Sequence, residues 1–317
     1  MEFYGVNALF LKQYIEFKRN LGYDFKKTYT FSMFDQFTID NGVETVGLTR
    51  DLAGKWALNR PNEADVTRYK RVNDITNFSI YLNHLGYHSY IPKQLKAYQT
   101  TFTPYIFSHE ELKTFFQACD TIEVHGNTTI KYILPIIFRV IYGCGLRANE
   151  ALSLKCADVN LYERYIIVRE SKNGCDRMIP LSESLANICS LYKNRYIFNH
   201  FNESYFFAQK NMQKYAVSTL YKWFRKILWN ASISHGGKNI GPRVHDLRHS
   251  FSVHSLEFMS RSGLDLYYSL PILSSYLGHK SLEATDKYVR LTSEMYPELL
   301  QQVDNICAYV FPEVKLQ

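Results

Sequence analysis

The stretch "GPRVHDLRHSFSVH", residues 241–254, places three histidines and two arginines within fourteen positions. Pro242 favours a helix that begins just after it, so His245 and Arg248, three residues apart, share one face of that helix. Free backbone N–H groups at a helix start also attract anions. The stretch therefore predicts a site that holds a negatively charged group, although by itself it also fits a structural cap at His245 and a surface charge at Arg248.

A metal site is the competing interpretation of the same stretch, because the spacing of His245, His249 and His254 is similar to that of zinc ligands. No Cys pair or second His cluster in the sequence supplies the remaining ligands of a zinc site. A two-metal nuclease needs several converging carboxylates, and no such group stands out. We therefore expect no metal and no other cofactor.

Composition indicates an ordinary globular protein of two domains, since the chain has 317 residues, 46% of them hydrophobic and 21% charged. The net charge of +7 permits nucleic acid as a partner without requiring it. The six cysteines form no CxxC pair, and the start "MEFYGVNALFLKQY" lacks the basic region of a secretory signal. We expect reduced thiols, a cytoplasmic location and no membrane span; "ILPIIFRVIYGCGL", which contains Arg139, is predicted to be a buried helix.

The first hundred residues have the pattern of a four-helix bundle. The first predicted helix carries an apolar stripe, and the first, second and fourth helices end at Gly22, Gly42 and Gly86. The third is capped by Thr49 and ends before Pro61. The residues of the stripe are Leu9, Phe10, Tyr14, Phe17 and Leu21.

A second domain follows a linker at residues 99–108, where threonines and a proline interrupt the helical period. Ser108 and Glu111 form a capping box that opens the next helix. The clearest strand signal is "RYIIVRESKNGCDRMIPLS", residues 164–182, in which two β-rich runs flank the turn pair Asn173-Gly174. Lys172 is thus expected near the tip of a hairpin.

Two further segments place reactive side chains beside turns. "YGCGLRANEALSLKCADV", residues 142–159, puts Arg147 after a glycine turn, with Glu150 three residues later to orient it. "LSSYLGHKSLEATDKYVRLT", residues 273–292, puts His279 after a Leu-Gly pair and Tyr288 nine residues further on.

Together these segments resemble the tyrosine recombinase, or phage integrase, family. The resemblance covers residues 105–290 by motif and the N-terminal domain by layout only, and it implies a catalytic set that is listed in chain order as Arg147, Lys172, His245, Arg248, His279 and Tyr288. One segment, residues 257–276, is longer than the common pattern. The resemblance implies a two-domain member without the additional arm-binding domain of some relatives.

The fold that this resemblance implies is mainly α, with a small β-hairpin or sheet. Residues 1–98 would form a SAM-like helical domain that binds core DNA, and residues 109–317 would form a mixed α+β catalytic domain ending in a docking helix. The family's activity is cutting and rejoining of DNA through a 3′-phosphotyrosyl intermediate, for integration, excision or transposition. The assembly implied by the resemblance is a homotetramer on two DNA sites, and related recombinases could also take part in it.

The residue types suit that chemistry. Tyr288 would attack the scissile phosphorus, and two planar guanidinium groups, Arg147 and Arg248, would hold the non-bridging oxygens. His279 would donate to the phosphate, His245 would manage the proton of Tyr288 or of the incoming hydroxyl, and Lys172 would be the general acid. Glu150 supports Arg147.

The N-terminal bundle would close on duplex DNA as the second half of a clamp. Its candidate phosphate contacts are Lys12, Lys18, Arg19, Lys26, Lys27, Arg68, Lys70 and Arg71, each of which also fits a solvated helix face. In the tail, Leu299, Val303, Ile306 and Val310 form a stripe typical of a docking helix, which could pack in cis or on a neighbouring protomer.

Two alternatives stay open at this point. A type IB topoisomerase would use the same chemistry to nick and reseal one strand, and an accessory DNA-binding protein would keep the fold without the reaction. Strand exchange between two duplexes separates the first from a recombinase, and a covalent protein–DNA adduct excludes the second.

Overall fold

Nine stretches of the chain are described by a computed structural model: residues 2–23, 25, 28–96, 103–126, 128–169, 176–197, 201–237, 241–279 and 281–296. The chain divides into two compact units, residues 1–102 and residues 103–317. Both units are built mainly from α-helices, and a small antiparallel sheet lies in the second, as the predicted fold class requires.

The first unit contains the four predicted helices, which are α1 (Ala8–Asn20), α2 (Tyr29–Asp40), α3 (Arg50–Ala57) and α4 (Asp65–His84). The glycines predicted to end α1, α2 and α4 follow them within two residues. The Thr49 hydroxyl accepts a hydrogen bond from the Leu52 N–H at 3.2 Å, which confirms the predicted cap of α3.

The apolar stripe predicted on α1 is right for Tyr14, which is buried, and for Phe10, which packs against the core, but wrong for its other three residues. Leu9, Phe17 and Leu21 are exposed, whereas the buried face of α1 consists of Leu11, Tyr14 and Ile15. Apolar side chains cover more than one side of this helix, so periodicity alone did not determine which side faces α4. The aromatic residues of α2, α3 and α4 complete the core against the buried side.

The second unit begins with two helices, and the turn after the second of them leads to the site. Its elements in chain order are α5 (His109–Thr121), α6 (Ile130–Gly143), α7 (Ala148–Ser153), β1 (Val159–Asn160), β2 (Tyr165–Val168), β3 (Arg177–Pro180), α8 (Glu183–Tyr196), α9 (Val217–Asn230), α10 (Val244–Arg261), α11 (Leu266–Leu277) and α12 (Glu283–Met295). The predicted capping box of Ser108 and Glu111 opens α5.

The sheet confirms the predicted pairing of the two β-rich runs. Its strand order is β1-β2-β3, and β2 pairs antiparallel with β3 so that Val168 lies opposite Arg177. The connection between these strands, including Lys172 and the predicted turn pair, lies outside the described residues.

Helix α10 occupies the centre of the part that carries the site, because it packs against α6, α11 and α12. Its partner α6 is the apolar helix predicted to be buried, and eight of its residues are buried. Residues 257–276, the segment that is longer than the common family pattern, form the end of α10, a turn and most of α11. None of the described helices is both long and apolar enough to cross a membrane.

Part of the predicted linker packs into the second unit. Phe107 is fully buried in its core, and the Phe107 N–H donates a hydrogen bond to Ser250 Oγ on α10 at 2.8 Å. Residues 105–108 therefore belong structurally to the domain that follows them.

Candidate active site

Gly145 forms the tight turn that delivers Arg147 to the site. Its φ is +57°, and a Cβ atom at this position would lie 2.6 Å from Phe251 Cδ1 and 2.9 Å from Leu277 Cδ2. A side chain would thus be strained and would clash with α10 and α11. The turn brings Arg147 to the start of α7, where its side chain is 24% exposed and can reach a ligand.

Arg248 joins three segments of the site from the middle of α10. Its side chain is 1% exposed, and its guanidinium donates to the Gly145 carbonyl at 2.6 Å and to the Leu277 carbonyl at 2.8 Å. Burial, together with the charge of Arg147, lowers the pKa of Arg248 to about 10, so the group stays protonated at neutral pH. The buried cation holds the turns before Arg147 and His279 in place.

Glu150 is a buried carboxylate that collects several arginine contacts. It accepts from Arg147 Nη1 at 2.6 Å and from the Arg147 backbone N–H at 2.9 Å, as the sequence predicted. Arg177 on β3 adds a two-point contact at 2.8 and 3.3 Å. Burial opposes ionisation of Glu150, yet the bonds from Arg177 and Arg147 outweigh it and lower the pKa to about 2.

His279 follows α11 and contacts Arg248. Its Nε2 lies 3.1 Å from Arg248 Nη2, and its Nδ1 lies 2.8 Å from the hydroxyl of buried Thr285. Because a guanidinium has no acceptor, Nε2 of His279 must accept this bond, which leaves Nδ1–H as the donor to Thr285. Burial and the charges of Arg248 and Arg147 lower the pKa of His279 to about 4, so the ring is neutral at pH 7.

His245 lies one helical turn before His249 on α10, and the centroids of the two rings are 4.6 Å apart. Burial, and then the charges of Arg248 and Arg147, lower the pKa of His245 to about 4. The ring is neutral at pH 7 and can accept a proton only when the surrounding positive charge is compensated.

Tyr288 on α12 is 1% exposed and packs among apolar side chains of α10, α11 and α12: Val253, Leu256, Leu273, Leu277 and Leu291. Its hydroxyl forms a hydrogen bond with Nδ1 of His249 at 2.9 Å, and its ring stacks on that of His279 with centroids 6.4 Å apart. Burial raises the pKa of Tyr288, so its hydroxyl stays protonated in this state.

The structure thus brings together five of the six predicted catalytic side chains, Arg147, His245, Arg248, His279 and Tyr288, with Glu150 beneath them. Lys172, the sixth, lies outside the described residues. Three arginines, including Arg177, surround the single carboxylate of Glu150, which leaves a positive surplus suited to a phosphate. No group of three His, Cys, Asp or Glu placed to hold a metal occurs in the described stretches.

A sequence model of the phage integrase family matches residues 106–295. The match spans more than half of the chain and includes all of the clustered residues. The chain belongs to the phage integrase family. It is a tyrosine recombinase, an enzyme that cuts and rejoins DNA, and DNA is its partner.

The relatives of this recombinase differ in how much of it they cover. An integrase/recombinase of Sinorhizobium fredii, y4rB, is 25% identical over 93% of this chain and 96% of its own length. The tyrosine recombinase XerA of Pyrococcus horikoshii is 34% identical over 53% of each chain. In fold, the recombinase is similar to XerH site-specific recombinase bound to its palindromic difH substrate, with a TM-score of 0.61 and 21% identity over 94% of this chain and 83% of XerH.

Two residues of this recombinase site were not predicted. Arg177 belongs in the sequence only to the predicted hairpin, and the one signal for it is its place after Asp176 at the start of the second β-rich run. His249 was considered only as a zinc ligand, although it directly follows Arg248 and lies one helical turn after His245. The contact of Arg177 with Glu150 and that of His249 with Tyr288 cannot be assigned from spacing, because the two residues of each pair come from distant segments.

The candidate DNA contacts of the first unit differ in accessibility. The prediction that Arg71 contacts phosphate is wrong, because its side chain is buried. It pairs with Glu63 at 2.7 Å and donates to the main-chain carbonyls of Trp56 and Leu58. Arg68 is half-buried and donates to the Ala57 carbonyl at 2.8 Å. The exposed or half-buried cations that remain as candidates are Lys12, Lys18, Arg19, Arg68 and Lys70, and Lys26 and Lys27 lie outside the described residues.

Proposed function

We propose that this recombinase cuts DNA with Tyr288 as nucleophile and rejoins it to a second duplex. The proposal rests on one observation. Arg147, Glu150 and His279 converge on Arg248, and the ring of Tyr288 stacks on the ring of His279. Four separate chain segments supply these groups. The set contains a nucleophile and charge for an anionic transition state, which metal-independent phosphoryl transfer requires.

Charge neutralisation is assigned to the two arginines. Arg147 is accessible and supplies a planar donor fork for one non-bridging oxygen of the scissile phosphate. Arg248 is more deeply placed and would donate to a second oxygen through the N–H that now contacts His279. A phosphate in this position accepts the Arg248 hydrogen bond in place of His279 Nε2. The imidazole of His279 can then gain a proton at Nε2 and donate it in a hydrogen bond to the phosphate.

The covalent step exchanges one phosphoester for another. The oxygen of Tyr288 attacks phosphorus, its proton passes to His245 or solvent, and the bond to the 5′ oxygen breaks as Lys172 protonates that oxygen. The product is a 3′-phosphotyrosyl link and a free 5′-hydroxyl. A 5′-hydroxyl from another duplex then attacks the link and releases Tyr288, so no external energy source is needed.

Assembly and location follow from this reaction. Exchange between two duplexes needs four cleavages, so we propose a homotetramer on two DNA sites, with the tail as a docking helix between protomers. Residues 1–98 would form the core-DNA-binding domain, joined to the catalytic domain through a linker at residues 99–104, the part of the predicted linker that precedes Tyr105. Phosphate contacts from the first unit are proposed for the exposed or half-buried cations Lys12, Lys18, Arg19, Arg68 and Lys70. We place the reaction in the cytoplasm, where the protein associates with DNA.

The test is covalent capture on a nicked suicide substrate that carries the native site. The wild-type protein should give a protein–DNA adduct that survives denaturing electrophoresis, and peptide mapping should find the DNA on Tyr288. Tyr288→Phe should bind the site with unchanged affinity and give no adduct.

Two results would contradict the assignment. An adduct that persists in Tyr288→Phe would place the nucleophile elsewhere, with Tyr276 and Tyr296 as the nearby tyrosines to test. Adduct formation without any strand exchange between two duplexes would assign the protein to nicking and resealing of the topoisomerase type.

A further inference from the structure

The hydroxyl of Tyr288 is enclosed by protein rather than presented to DNA. The side chain is 1% exposed, and the hydroxyl reaches Nδ1 of His249, which is itself buried. Ser252, one turn of α10 further on, donates its hydroxyl hydrogen to the Arg248 carbonyl at 2.9 Å. An oxygen in this position cannot touch a phosphorus atom of bound DNA, so α12 must move or the side chain must turn before cleavage.

His249 is poorly suited to be the base in this arrangement. Burial, and then the neighbouring His245 ring and the charge of Lys287, lower its pKa to about 2, while burial raises the pKa of Tyr288. Transfer of the proton from the phenol to this imidazole is therefore strongly unfavourable, and the pair stays a neutral hydrogen bond. The contact positions the hydroxyl without activating it.

We propose that His249 is a positioning residue whose hydrogen bond holds the Tyr288 hydroxyl in a buried resting place, and that breaking this bond releases the nucleophile. This inference rests on the proposed role of Tyr288 as nucleophile. Loss of the hydrogen bond at His249 favours the released form, because the buried hydroxyl then keeps its desolvation cost without its partner.

The chain offers a matched control on the same helix. His254 Nδ1 lies 2.9 Å from the Tyr142 hydroxyl, the same atoms at the same distance as in the pair of His249 and Tyr288. Both histidines are buried, and burial lowers the pKa of each. His254→Leu therefore removes an equivalent buried hydrogen bond and tests for a general loss of stability.

A shape-matched pair of variants isolates the hydrogen bond at His249. Asn and Leu have similar shapes, but only the Asn amide places a polar atom where Nδ1 lies, and it can accept or donate there. His249→Asn should therefore resemble the wild type, whereas His249→Leu should release the tyrosine. Comparison of the two variants separates the hydrogen bond from the space that the ring fills.

The first measurement is nitration of the full-length protein by tetranitromethane without DNA, with the modified tyrosines located by peptide mass spectrometry. We expect His249→Leu to raise the rate of nitration at Tyr288 by about tenfold, and His249→Asn and His254→Leu to leave that rate near the wild-type value. His254→Leu should instead raise nitration at Tyr142. Equal rates at Tyr288 in His249→Leu and the wild type would overturn the inference.

The second measurement is the rate of covalent adduct formation on a half-site suicide DNA, at protein concentrations at which one protomer binds. His249→Leu should form adduct about tenfold faster than the wild type and His249→Asn. A slower rate in His249→Leu, with His254→Leu unchanged, would show that His249 serves the reaction itself and would overturn the inference. An adduct on another residue would refute the proposed nucleophile, and nitration would still decide whether His249 holds Tyr288.

Discussion

Arg177 on β3 and Glu150 on α7 form a two-point ion pair, with Nη2 to Oε2 at 2.8 Å and Nη1 to Oε1 at 3.3 Å. Arg177 Nε also donates to the Tyr276 carbonyl at 3.1 Å, close to the turn that carries His279. One guanidinium, on a side chain that is 10% exposed, thus connects the sheet, the Arg147 helix and the end of α11. Glu150 determines where Arg147 and Arg177 lie relative to each other.

Removing the charge of Glu150 should affect both stability and catalysis. In Glu150→Gln the nearly buried guanidinium of Arg177, 10% exposed, loses its counter-ion, so we expect the free energy of unfolding to fall by about 3 kcal/mol. Arg147 loses the same anchor, and the rate of adduct formation at saturating DNA should fall by about 10- to 100-fold. Urea denaturation and single-turnover cleavage measure the two effects.

Glu203→Gln is the control for this change. Glu203 pairs with Lys155 at 2.5 Å, but both side chains are exposed, so the loss of that pair should leave stability and cleavage near wild-type values. Equal losses in the two variants would mean that the carboxylate of Glu150 has no special place in the site.

The sequence predicted the parts of the site that depend on local spacing. Arg147 with Glu150, and His245 with Arg248, are three residues apart on helices, so helix geometry alone places each pair together. The contacts of Arg177 with Glu150 and of His249 with Tyr288 cross 27 and 39 residues of chain. Such contacts depend on how α7, α10 and α12 pack, and periodicity does not contain that information.

The same limit explains the errors in the first unit. Helix ends were predicted well, because glycine and the Thr49 cap act within one turn. The buried side of α1 and the burial of Arg71 depend on neighbouring helices. Arg71 has the appearance of a surface charge in the sequence, yet Glu63 and the main-chain carbonyls of Trp56 and Leu58 satisfy its guanidinium inside the unit.

The contact between Arg248 and His279 predicts a change in pKa when DNA binds. In the free protein the pKa of His279 is lowered to about 4, first by burial and then by Arg248 and Arg147. A bound phosphate compensates these charges and accepts a hydrogen bond from the imidazolium, so the pKa should rise toward or above the ordinary value of about 6.5. At pH 6 the ring would change from mostly neutral to substantially protonated.

NMR titration of labelled histidines in Tyr288→Phe, with and without uncut DNA, measures this shift. His254 is the internal control, since its pKa is also lowered to about 4 but it contacts Tyr142 and His109 rather than the arginines. An unchanged pKa of His279 in the DNA complex would contradict its proposed role as a donor to the phosphate.

The tail is expected to join protomers. Its stripe of Leu299, Val303, Ile306 and Val310 lies outside the described residues, so this prediction rests on the sequence pattern. Deletion of residues 298–317 should leave binding of one protomer to one site intact and abolish synaptic tetramers and recombination. Native gels and light scattering check the assembly, and normal tetramers from the shortened protein would show that the tail packs in cis or not at all.

Lys172 can be separated from the arginines by the chemistry of the leaving group. An alkoxide is a poor leaving group and needs a proton, whereas a thiol has a pKa near 8.5 and can leave as the thiolate. Replacement of the bridging 5′ oxygen by sulfur therefore removes the need for a general acid. It does not change the charge on the non-bridging oxygens, which Arg147 and Arg248 are proposed to stabilise.

Sulfur at the scissile position should restore cleavage to Lys172→Ala and should not restore it to Arg147→Ala. Arg147 is the better comparison of the two arginines, because its side chain is accessible, whereas Arg248 is buried and its loss also removes the hydrogen bonds to Gly145 and Leu277. The measured quantity is the ratio of cleavage rates on the sulfur and oxygen substrates in each variant. If that ratio is no larger for Lys172→Ala than for Arg147→Ala, then Lys172 only positions the DNA and another group delivers the proton, with His245 as the first residue to test.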